Sequence, residues 1–62
     1  MTPMLALVVA YWRYQNTLSQ EDKEWLETAK FEATLAFGED AVRRELNRLD
    51  DERRRKNEAR TQ

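Results

Sequence analysis

Carboxylates and guanidiniums are the most abundant side chains that could do chemistry in this 62-residue chain, which contains neither Cys nor His. That excludes a disulfide, makes a structural zinc site unfavourable, and removes His- and Cys-based catalysis. Paired acids remain, at Glu21/Asp22, Glu39/Asp40 and Asp50/Asp51. A catalytic pair needs a cleft that drives two pKa values apart. These pairs instead stand where helices would begin or beside bases, and they are expected to act as charge caps. The run Arg53-Arg54-Arg55-Lys56 is the one cluster that could hold a phosphate or an acid. It follows directly on Asp50-Asp51-Glu52, and no aromatic occurs after Phe37 to stack on a base. A solvated charged helix face is therefore expected there, with phosphate or acid binding by Arg53, Arg54, Arg55 and Lys56 as the alternative. No Gly-rich phosphate loop or calcium loop is present, so no cofactor and no metal are expected, and the chain reads as non-enzymatic.

The elements that must position these groups follow from composition. Gly38 and Pro3 are the single glycine and proline, and the rest is rich in Ala, Leu, Glu, Arg and Lys. Such a chain favours helix nearly throughout. An all-α protein of two to three helices is expected: an apolar N-terminal helix, then a helical hairpin hinged near Gly38. The charge is segregated. Residues 1–18 carry only Arg13, residues 19–40 hold seven acids against two lysines, and residues 41–62 hold eight bases against five acids. An acidic and a basic helix joined at one glycine can pair with each other.

Local signals set the boundaries of one small domain. Residues 1–17 form an apolar anchor, with Thr2 as N-cap and Pro3 at the first helical position. Residues 19–37 form an acidic helix that Ser19 caps, with Asp22 three residues on. Its apolar stripe is Trp25, Leu26, Ala29, Ala33, Ala36 and Phe37, while Phe31 and Leu35 fall nearly opposite. Residues 39–57 form a basic amphipathic helix on Val42, Leu46 and Leu49, a seam too short for a free coiled coil. Acid-to-base pairs at i, i+4 (Glu39/Arg43, Asp40/Arg44, Asp50/Arg54, Asp51/Arg55 and Glu52/Lys56) would carry it on as a solvated rod. Residues 58–62 are expected to fray.

Met4–Tyr14 concentrates the apolar content. It is about half the length a membrane span needs, no basic leader precedes it, and it lacks the polar face of an interfacial helix. No signal peptide, no membrane partner, and a cytoplasmic place or one within a soluble assembly are expected. Its eight large apolar side chains represent on the order of 10–20 kcal/mol if buried, as an upper bound. Two further helices offer one good face each, enough to cover one side. The other side is expected to meet another copy of the chain or subunits of a larger assembly, as an adaptor or structural subunit would. Leu5, Val8, Val9, Tyr11, Trp12 and Tyr14 are the expected partner-binding residues, with Ala6 and Ala10 permitting close approach.

Val8, Val9, Tyr11, Trp12 and Tyr14 also have high strand propensity. As a strand, Leu5–Tyr14 would give the order strand, helix, Gly turn, helix, which resembles a ribbon–helix–helix repressor in topology. That resemblance implies a dimer that inserts a two-stranded ribbon into the DNA major groove. Such ribbons present polar or basic side chains on alternate positions, and here Arg13 alone does. A small dimeric nucleic-acid-binding regulator, with Arg13 or Arg53–Lys56 on phosphate, is the alternative function.

Overall fold

A computed structural model describes residues 2–61, and the side chains of residues 2–59. It consists of three helices, α1 (Pro3–Thr17), α2 (Gln20–Phe37) and α3 (Glu39–Thr61), with no strand among the described residues. The all-α expectation holds, and the ribbon topology does not. Both parities of Met4–Tyr14 are apolar, so a strand would leave one face uncovered, whereas a helix with a proline start meets no such conflict.

The caps fall where the sequence places them. The Thr2 hydroxyl accepts from the Leu5 N–H at 3.2 Å, and the Ser19 hydroxyl accepts from the Asp22 N–H at 3.2 Å. Thus each satisfies one of the donors a helix start leaves open. α1 ends at Leu18, which takes a left-handed conformation (φ 54°) and donates its N–H to Tyr14 O at 2.8 Å. Gly38 closes α2 at φ 90°, ψ 160°, a region glycine alone occupies readily, and donates its N–H to Thr34 O at 2.8 Å. One residue thus separates α2 from α3. α3 continues past Asn57 to Thr61, so residues 58–61 have helical backbone where fraying is expected. Glu58, Ala59 and Arg60 are good helix formers and nothing there breaks the ladder. Gln62, the end of the expected tail, lies outside the described residues.

α1 packs chiefly on α2, and α3 lies across both with a smaller contact. The core is Leu7, Ala10 and Tyr11 from α1, Leu26, Ala29 and Ala33 from α2, and Val42 and Leu49 from α3. Three alanines among these eight let the helix backbones come close, so few large side chains fill the interior. The covered face of α1 follows the spacing Leu7, Ala10, Tyr11. Ala10 is wholly buried inside the chain and does not serve approach by another copy. On α2 the expected stripe narrows: Leu26, Ala29 and Ala33 are buried, while Trp25, Ala36 and Phe37 at its edges are exposed.

Three polar links join α1 to α3. The hydrogen bonds of Tyr11 with Asp50 and of Gln15 with Arg53 follow the same order along both helices, so the two run in the same direction beside each other, and Lys56 stands over the Trp12 ring. Beyond Leu49 the inner side of α3 therefore stays against α1 through Asp50, Arg53 and Lys56. Only the outer side, with Arg54 and Arg55, is the solvated rod.

Candidate functional site

Three groupings of side chains stand out once the helices are placed: the corner between α1 and α2, the line of polar contacts between α1 and α3, and the apolar groups left uncovered.

At the corner, Asp22 is buried yet fully partnered. The Thr17 hydroxyl donates to it, the Ser19 hydroxyl donates to its Oδ2 at 3.0 Å, and Arg13 Nε approaches its Oδ1 at 3.2 Å. The Thr17 hydroxyl bond, aided by those of Ser19 and Arg13, holds the Asp22 carboxyl below the usual aspartate range, against the opposing effect of burial. Arg13 also lies 5.6 Å from the centroid of the Trp25 ring. The arrangement locks the turn, and every oxygen of the acid has a structural partner. It offers no poised acid or base. Among the described residues, no group of three or more acids stands close enough to hold a metal ion.

Between α1 and α3 the Tyr11 hydroxyl donates to Asp50 Oδ1 at 2.5 Å. Burial, then the bond to Asp50 and its charge, push the Tyr11 phenol up to about 12. The fold thus prefers the protonated phenol. Its contribution to stability is whole below the ordinary tyrosine value of 10.0 and is lost as the pH climbs through about 12. Tyr11→Phe is expected to cost on the order of 1 kcal/mol at neutral pH, since the acceptor Asp50 is half-exposed. The gap between wild type and variant should narrow between pH 10.0 and about 12. Urea denaturation of both chains across that range measures it. A gap that stays constant through alkaline pH would refute the assignment.

Next to this bond, Arg53 donates to Gln15 Oε1 at 3.0 Å, and Lys56 Nζ stands 4.5 Å from the centroid of the Trp12 ring. The basic run is thereby divided. Arg53 and Lys56 turn toward α1, Arg54 pairs with Asp51 at 3.0 Å on the outer side, and Arg55 is exposed. The expected i, i+4 acid-to-base pairs do not form. Asp51–Arg54, Asp50–Arg53 (3.9 Å) and Glu45–Arg48 are spaced i, i+3, and Arg48–Glu52 at 2.6 Å runs from base to acid. Lys56 is drawn off toward the Trp12 ring of α1, and Arg48 and Arg54 reach the acid three residues back.

Of the six residues expected to bind a partner, Tyr11 belongs to the chain's own core, at 4% exposure. It lies on the α1 face that α2 and α3 share, and its hydroxyl finds its acceptor within the chain. Val8, Trp12 and Tyr14 are half-buried against that core. Leu5 and Val9, one turn apart, remain open on α1 at 51% and 38%. The most exposed large apolar pair lies elsewhere: Phe31 at 64% and Leu35 at 72%, one turn apart on the outer face of α2. Their place off the main stripe is legible in the sequence and is the signal that marks them. Leu18, Trp25 and Phe37 are also open. No helix among the described residues is long and apolar enough to cross a membrane.

The chain matches no protein-family model, and neither the curated proteins nor the solved structures include one similar to it.

Proposed function

We propose that the chain is a non-enzymatic helical interaction protein that associates with copies of itself through the apolar strips left open on α1 and α2. The observation that carries this reading is the pairing of Phe31 with Leu35, both more than half exposed on one helix face, beside a core of eight buried apolar residues among those described. Single exposed apolar side chains are ordinary on a protein surface, but adjacent pairs at helical spacing form a strip. Leu5 and Val9 form a second such strip on α1. Both have the i, i+4 spacing that lets a helix lie in the groove of another. A chain this small gains from a partner what its own core lacks.

Light scattering over a micromolar range tests it. The wild-type chain is expected to give a mass at least twice 7.5 kDa, rising with concentration. Phe31→Glu with Leu35→Glu should return it to the monomer without loss of helix, because neither side chain supports the core. Leu5→Gln with Val9→Gln reports on the second strip in the same way. A monomeric wild type with a cooperative melt would sink the proposal.

A further inference from the structure

We infer that the cleft between α1 and α3 is a binding site for a small phosphorylated anion, a reading that stands independently of self-association. The cleft has a volume of about 320 Å³ and is lined by Trp12, Gln15, Asn16, Arg53, Lys56 and Asn57. That volume is at the small end of ligand pockets. Two of its six lining residues are cations, three are carboxamides and none is an acid. A chain of formal net charge −1 thus collects two positive charges on one concave surface.

The hydrogen-bond bookkeeping points the same way. Arg53 already occupies the Gln15 carbonyl oxygen at 3.0 Å, so Gln15 has its amide NH₂ left to give. The Arg53 fork keeps further N–H groups, since its nearest carboxylate, Asp50, is 3.9 Å away. Lys56 makes no ion pair with a described residue. Its ammonium rests 4.5 Å over Trp12, and the N–H donors not directed at the ring are open to a bound oxyanion. The cleft therefore presents donors from two helices, an arrangement that suits a tetrahedral dianion with several acceptor oxygens. The outer half of the basic run differs. Arg54 and Arg55 border a depression that they share with Asp51 and Glu58, and its charge is balanced. Position in the fold, not basic content alone, selects Arg53 and Lys56.

Trp12 supplies the readout, because an anion drawn to Lys56 moves a charge lying over its ring. In the Trp25→Phe chain Trp12 is the sole indole. Inorganic phosphate, added at constant ionic strength with chloride as the balancing salt, is expected to change its fluorescence in a saturable way. Lys56→Gln and Arg53→Gln should each weaken the midpoint about tenfold, the loss of one charge-assisted contact. Arg54→Gln and Arg55→Gln should leave it unchanged. Circular dichroism melts check that Arg53→Gln folds, and Lys56→Gln carries the test if it does not. An equal response to chloride, or equal weakening by all four substitutions, would overturn the site. So would a mixed-sequence DNA duplex that binds more tightly than phosphate and is weakened by all four, which would assign the bases to an open polyanion surface.

Discussion

Leu49→Ala is expected to cost about 2–5 kcal/mol of stability, against a total of about 3–9 kcal/mol for a chain of this length. Leu49 is wholly buried, and among the large side chains of the described residues only Leu7 matches it. Removing it takes away the transfer energy of its methyl groups and leaves a hole that alanine-rich neighbours cannot fill. Ala10, Ala29 and Ala33 have no rotamers with which to close it. The position matters beyond its volume. α3 is held by a short apolar patch, Val42, Leu46 and Leu49, followed by the polar contacts of Asp50, Arg53 and Lys56 with α1. Those contacts are at least partly wet and each contributes little alone. Leu49 is the last large apolar residue before them, so its loss should release the cleft as well as weaken the core. Urea denaturation followed by circular dichroism reads the stability, and Leu35→Ala serves as the control. At 72% exposure Leu35 should change it by no more than about 0.5 kcal/mol. Equal losses for the two variants would show that the core is placed wrongly.

The same contrast shows how far the sequence alone reaches. Helix starts and stops were legible because they depend on local chemistry: Thr2 before Pro3, Ser19 before Asp22, and Gly38 alone between two long helical runs. The inner face of α3 was legible too, since Val42, Leu46 and Leu49 stand out against charged neighbours. α1 gave no such contrast. With apolar side chains almost all round it, periodicity could not tell the covered side, Leu7, Ala10 and Tyr11, from the open side, Leu5 and Val9. The ion pairs differ for a related reason. Spacing lists which partners a base can reach along its own helix, whereas α1 offers Arg53 an amide and Lys56 a ring. The cleft likewise depends on Trp12 and Gln15 meeting residues about 40 positions away, which no local pattern encodes.

Gly38→Ala should be the most costly exchange outside the core, about 1–3 kcal/mol, for a reason unrelated to crowding. A β-carbon at this position meets no atom within 4 Å, so space is available. The obstacle is the backbone, which at φ 90° and ψ 160° lies where an L-residue is rarely held. The variant can escape the strain by letting α2 and α3 fuse into one long helix, a change that alanine favours over glycine by about 1 kcal/mol. Fusion would strip Val42 and Leu49 from the core, at roughly 1.5–3 kcal/mol each. Packing outweighs propensity, so the corner should persist and the strain should appear as lost stability. Two chains of the same composition separate conformation from size: Gly38→Ala with the ordinary L-alanine, and a synthetic chain in which D-alanine replaces Gly38. A D-residue reaches positive φ without penalty and also narrows the unfolded ensemble, so its urea midpoint should stay at or above that of the glycine chain. The L-alanine chain should fall well below both. If the two alanine chains melt alike, the corner does not hold the conformation assigned to it.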